Sequence, residues 1–171
     1  MIKNDYKVRA LNFIKMLYPY IADCEHLWDY RKAANLFSYD HPSRKVIFAH
    51  GIARVTFVTS DYAVKIDYNK EEIENVGGGN SEEIFYDFAK KSGFAHLFAE
   101  VTSIKYGGKT FYIMPRVNGI GRYYDDINYY LNDEDRWFVE EYVYDMHCGN
   151  YGWCRGYPVI VDYASNKVVL G

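Results

Sequence analysis

Little in this sequence points to a membrane, a secretory route or a nucleic-acid surface. No uninterrupted apolar run approaches the roughly 18 residues of a bilayer-spanning helix. The opening "MIKNDYKVRALNF" has no apolar stretch behind its basic residues, so no signal peptide is read there. Lys and Arg number 20 against 23 Asp and Glu, a formal net charge of −3. That balance lacks the clustered cations that neutralise duplex phosphates, so no nucleic acid is expected as partner. Three cysteines, Cys24, Cys148 and Cys154, are an odd number and make no disulfide framework. They fit a reduced, cytoplasmic protein. No internal repeat or low-complexity segment is present.

What the chain does have is aromatic and apolar mass. Of its 171 residues 49% are hydrophobic and 19% aromatic, with 19 Tyr. This is enough for one packed domain or two small lobes. The tyrosines fit a core whose hydroxyl tips reach water, or a partner surface, and composition leaves both open.

Hydrophobic spacing divides the chain. Val8, Leu11, Ile14 and Leu17 recur at helical intervals after a capping Asn4 or Asp5, with Pro19 expected to interrupt. Leu27, Tyr30, Ala34 and Phe37 form a second stripe, with Asp23 as its cap and "DHP" at 40–42 as its end. From Lys45 the runs "KVIFAH", "ARVTFV" and "YAVKIDY" read as a three-stranded meander. After the loop "NKEEIENVGGGN" comes a helix, "SEEIFYDFAKK", and two further strands, "FAEVTSIKY" and "KTFYIMPRV", around Gly107 and Gly108. The expectation is an α+β fold with one helix inserted into a five-stranded antiparallel sheet. A connector with a short helical piece, a helix in "DEDRWFVEEYVYDM", a β-hairpin turning at "CRGY" and a short tail complete it.

Lys65 lies in the third run. Residues two apart on a strand share a face, so Ala63, Lys65 and Asp67 point together. A small residue beside an ammonium suits a planar base with a phosphate tail, while the alternative is a Lys on the solvated face of an edge strand. Glu83 stands early in the helix after the glycine loop, where a carboxylate could orient Lys65. It is equally the last member of a capping box begun by Asn80, and Glu82 is a weaker candidate for the ion pair. Asp145 and Asn150 form D-x-x-x-x-N, and Asp162 follows an apolar run, "PVIV". A carboxylate that takes a hydroxyl proton, with Asn and Asp oxygens for Mg²⁺, is what phosphoryl transfer from a nucleotide requires.

These motifs resemble those of the protein-kinase-like fold, in the variant shared by aminoglycoside phosphotransferases. "YAVK" is similar to V-A-I-K, "YDMHCGN" to the D-L-H-x-x-N catalytic loop, and "VDYA" to D-F-G. The short kinase-like proteins of tailed phages are also similar in their sparse "G-x-x-R-V" entry and D-x-H-x-x-N-x-G loop. The resemblance covers roughly residues 45–165. It implies ATP and Mg²⁺ as cofactors, with Lys65 on the α and β phosphates and Glu83 paired to it. It implies Asp145 as catalytic base, and Asn150 and Asp162 as metal ligands. Ala63 and Gly51 would lie against the nucleotide, and Met114, Pro115 and Arg116 would form the hinge at the base edge. The domain boundaries it implies are 1–43 for a helical extension, 44–117 for an N-lobe and 118–171 for a minimal C-lobe.

The sequence also departs from the family. Only Gly51 and "IARV" stand where a phosphate-covering loop has several glycines. Val143 and Tyr144 replace the His and Arg before the catalytic Asp, and Ala164 replaces the last Gly of D-F-G. Nine residues follow Asp162 where a kinase C-lobe carries an activation segment and several helices. The expectation is that the N-terminal helical pair, or a second copy of the chain, takes the place of that layer. The leading function is an ATP-dependent phosphotransferase acting on a protein or small-molecule hydroxyl. If phage-encoded, it works in the host cytoplasm. The alternative is a pseudokinase-like module that holds or inhibits a host protein. A zinc site from His147, Cys148 and Cys154 lacks a fourth ligand at proper spacing.

Overall fold

The structure, a computed structural model, describes residues 5–118, 127–146, 149–154 and 156–171. His147 and Cys148, the connector residues 119–126 and Arg155 of the expected turn lie outside the described residues. The chain divides into two compact units, Met1–Ile73 with Thr102–Arg116, and Glu74–Val101 with Val117–Gly171. The fold is α+β.

The first unit begins with helix α1, Asp5–Ile21, and helix α2, Leu27–Asp40. Pro19 lies inside α1 and does not interrupt it. A proline in the last turn removes one helical N–H, while Leu17 and Ile21 on either side are fully buried, and that packing holds the final turn. The start of α2 is secured by Asp29 rather than Asp23, since its carboxylate accepts the N–H groups of His26 (3.1 Å) and Glu25 (3.3 Å). Its buried face is Tyr30, Ala33, Ala34 and Phe37, in line with the expected stripe.

The sheet has five strands: β1 Ile47–His50, β2 Arg54–Val58, β3 Tyr62–Asp67, β4 Thr102–Tyr106 and β5 Lys109–Pro115. Their order is β1-β2-β3-β5-β4 and every pair is antiparallel. Gly107 and Gly108 both take positive φ in the β4–β5 turn, as the sequence predicts. Strand β4 starts at Thr102, not Phe98, because Phe98–Val101 belongs to the other unit.

Alternation sorts the strand residues onto two faces. Val55, Phe57, Tyr62, Val64, Ile66, Phe111 and Ile113 share one core with Phe13, Ile14, Leu17 and Phe37 of the helical pair. Each large apolar side chain buried there contributes about 1.5–3 kcal/mol. This corrects the expectation that the N-terminal helices replace a C-lobe layer. Their apolar stripe is occupied in covering one face of this sheet, and their physical role is to close the core of the unit that carries Lys65.

Helix α3, Lys70–Val76, spans the point in the sequence where the first unit gives way to the second, in a stretch that the sequence reads as a loop. It has no buried residue, so no apolar stripe announces it, and only Glu71 and Glu72 in its first turn favour a helix. Helix α4, Gly79–Lys91, starts behind Gly78 with no side-chain cap. The Asn80–Glu83 capping box is therefore not formed, because the N-cap falls at Gly78, two residues before Asn80. After a 3₁₀ turn at Ala95–Leu97 and another at Ile127–Tyr130 come helix α5, Asp133–Tyr142, and a hairpin of β6, Tyr151–Cys154, and β7, Tyr157–Ile160. Asn132 caps α5 by accepting Asp135 N–H at 2.8 Å. The tail is a short helix α6, Lys167–Leu170, capped by Asn166.

The second unit's core is aromatic. Phe85 meets Phe98 edge-on at 5.0 Å and Tyr163 at 5.7 Å between ring centroids, and Phe94 stacks on Phe138 at 4.1 Å. Among the described residues no helix is long and apolar enough to cross a membrane.

Candidate functional site

In the first unit, β3 is the middle strand, so Lys65 does not stand on a solvated edge. It is 7% exposed and lies on the sheet face opposite the helical pair. Its registered neighbours on that face are Thr56 on β2 and Tyr112 on β5. One step along the sheet, Ala63 is flanked by Val58 and Met114, which forms a row of apolar side chains next to an ammonium. A flat heterocycle needs the row and its phosphate tail needs the cation. Arg54, which the sequence reading passes over, is also buried and lies across from Asp67 on the same face.

The flanking segments are more constrained than expected. Gly51 N–H donates to Arg54 O at 2.9 Å, closing the β1–β2 turn, and Gly51 O accepts the Tyr68 hydroxyl at 3.0 Å. In the expected hinge, Pro115 has no N–H, and Arg116 N–H is already donated to Asp61 O at 3.0 Å. Arg116 Nη1 reaches Thr59 O at 2.8 Å, which ties the side chain to the β2–β3 turn. Burial pushes the Tyr62 hydroxyl upward in pKa, so the residue beside Ala63 is a neutral phenol.

In the second unit, Asp145 is exposed and Asn150 is buried. Asn150 Nδ2 donates to the backbone carbonyl of Asp145 at 2.6 Å, and Asn150 O accepts Val161 N–H at 2.7 Å. One side chain and one backbone bond thus join both ends of D-x-x-x-x-N to the residue before Asp162. That residue is half-buried, and Tyr163 after it is fully buried, with its hydroxyl donating to Ala99 O at 2.5 Å.

The two acids of α4 separate. Glu82 is fully buried, and its Oε1 accepts Tyr163 N–H in a long contact of 3.4 Å, whereas Glu83 is half-buried. A signal was available: Glu82 is in phase with Phe85 and Ala89, the buried stripe of α4, and Glu83 is not. Asn166 and Ser81, also buried, join the same segment and have no motif to betray them.

The donor set fits Mg²⁺. With Asn150 Nδ2 directed to Asp145, Asn150 Oδ1 and the Asp162 carboxylate are the hard oxygens that would be offered to a cation. Two hard oxygen ligands suit an ion that keeps waters and phosphate oxygens for the rest. Among the described residues no three His, Cys, Asp or Glu side chains gather as in a closed metal site, and Cys154 is a free thiol.

No family model matches the chain, and no curated protein does. Among solved structures it is similar to the Legionella pneumophila Lpg2603 kinase bound to IP6. The identity is 17% and the TM-score 0.47, covering 74% of this chain and 51% of that one. It is also similar to the streptomycin-ATP-APH(2")-IIa ternary complex, at 13% identity and TM-score 0.30, covering 60% of this chain and 33% of that one. The chain spans about half the length of the first of these.

Proposed function

We propose that the protein is a kinase-like phosphotransferase that moves the γ-phosphate of ATP to a hydroxyl. The observation that carries this reading is the pair of bonds from Asn150, to Asp145 O and from Val161 N–H. They hold the loop of the proton acceptor against the strand that leads to Asp162.

The first unit supplies Lys65, whose ammonium contacts phosphate oxygens, and the Val58, Ala63 and Met114 row, which receives the base. The second unit supplies the rest. Asp145 orients the acceptor hydroxyl and takes its proton as the acceptor oxygen bonds to the γ-phosphorus and the bond to the ADP oxygen breaks. Asn150 Oδ1 and Asp162 hold Mg²⁺, which when bound neutralises charge on the phosphates. The acceptor is a protein or a small molecule bearing a hydroxyl.

Thermal unfolding with and without MgATP tests the reading, run in parallel on Asp162→Asn. A ligand at about a hundred times its Kd adds about 2.7 kcal/mol to the native state, roughly 5–10 °C in Tm for a chain of this size. The expected result is a shift that requires Mg²⁺ and is lost in Asp162→Asn. No shift at millimolar nucleotide would overturn the proposal.

A further inference from the structure

Asn166 is fully buried, yet phosphoryl transfer as described makes no use of it. A buried primary amide must find partners for both ends. Its Oδ1 accepts Val169 N–H at 3.0 Å and caps α6. The Nδ2 end points elsewhere, lying 2.9 Å from Tyr163 O, 3.0 Å from Ala164 O and 3.0 Å from Ser81 Oγ. Ser81, itself 4% exposed, donates its hydroxyl hydrogen bond to Ala164 O at 2.5 Å. The first turn of α4 and the start of α6 therefore converge on the two carbonyls that follow Asp162.

Three further contacts tighten the knot. Gly77 takes φ +81, and a Cβ there would stand 2.3 Å from Ala164 O, so the chain before α4 lies flush against that carbonyl. Val143 forms an isolated bridge with Asn166, and Tyr144 N–H donates to Ser165 O at 3.0 Å. The entry to the Asp145 loop is thus fastened to the same residues. Capping a four-residue helix needs only the Oδ1 half of Asn166. The other half, with Ser81, acts on the backbone beside Asp162.

We propose that Ser81 and Asn166 are positioning residues for the cation held by Asn150 and Asp162. By fixing the carbonyls of Tyr163 and Ala164, they hold Asp162 in its ligand pose before any nucleotide arrives, so the site is assembled in the resting protein and is not switched on. This inference rests on the phosphotransferase reading.

The test uses the full chain as wild type, Ser81→Ala and Asp162→Asn, with two readouts. Amide hydrogen exchange without ligand compares the 161–166 segment with the α4 core around Phe85. A Mg²⁺ titration of the thermal shift at fixed ATP gives the half-saturating Mg²⁺. In Ser81→Ala, exchange at 161–166 is expected to quicken while the α4 core stays protected, and half-saturating Mg²⁺ is expected to rise roughly tenfold, the scale for lost support of a metal ligand. Ser81→Thr, which keeps the hydroxyl, is expected to stay near wild type. If Ser81→Ala does not fold, Ser81→Cys, a weaker donor of similar size, takes its place with a smaller rise. Wild-type Mg²⁺ dependence in Ser81→Ala, or unchanged exchange, would overturn the inference and leave the phosphotransferase reading standing. No Mg²⁺-dependent shift in the wild type would bring down both.

Discussion

Asn150 donates its side-chain N–H to the carbonyl of Asp145, five residues earlier, at 2.6 Å. The amide nitrogen thus ties the end of the loop back to its start. Replacement by Asp keeps oxygen and removes the donor. It also sets a carboxylate oxygen against a carbonyl oxygen at a position 5% exposed. Asn150→Asp is expected to cost the ligand-free protein about 1–3 kcal/mol, and more than Asn150→Ala. Urea midpoints of the three proteins check this, and equal midpoints for Asp and wild type would refute the donor role.

Gly77 and Gly93 share nearly the same backbone, φ +81 and +88, but differ in their surroundings. A methyl group at Gly93 meets nothing within 4 Å, while at Gly77 it meets the Ala164 carbonyl at 2.3 Å. Gly93→Ala is expected to cost only the left-handed backbone penalty of about 1–2 kcal/mol. Gly77→Ala is expected to cost more, and to speed exchange at Ala164. Melting of both variants side by side decides it.

The N–H groups of His26 and Glu25 hold the Asp29 carboxyl below its ordinary value of 3.8. A carboxyl with a depressed folded pKa contributes stability that is complete above the unfolded value and is lost as pH falls through the folded one. Asp29→Ala is therefore expected to melt below wild type at neutral pH. The gap should persist down to about pH 3.8 and close at more acid pH. A gap constant across that window would mean that the side chain acts by packing and not by capping.

Much of the sheet was legible because alternation and turn chemistry are local. "YAVKID" carries its own face assignment, and Gly107 and Gly108 announce their turn. What failed was decided at a distance. Pro19 is a helix breaker by propensity and is overruled by the burial of Leu17 and Ile21. "FAEV" has strand composition, yet Phe98 packs on Phe85 and Tyr163, and Ala99 N–H donates to Ile160 O at 2.9 Å. Lys65, Asp145, Asn150 and Asp162 were singled out by motif spacing, and of these the structure ties Asn150 to Asp145 through the bond between them. Ser81 and Asn166 were not, because a buried Ser and Asn become meaningful only when the carbonyls they address are known. Glu82 lay between: the helical phase of Phe85 and Ala89 pointed to it, and the capping pattern drew attention to its neighbour.

The helical pair on one side of the sheet and Lys65 on the other make β3 a strand of alternating duty. Val64 and Ile66 serve the core shared with α1 and α2, while Ala63, Lys65 and Asp67 are turned away from it. Neighbouring codons in this stretch thus report on different surroundings, one set on the core shared with the helices and the other on the opposite face of the sheet. Insertion of a single residue before Lys65 would exchange the two sets. The ammonium would then be driven in among Phe13 and Leu17, and the core shared with the helices would lose its apolar face.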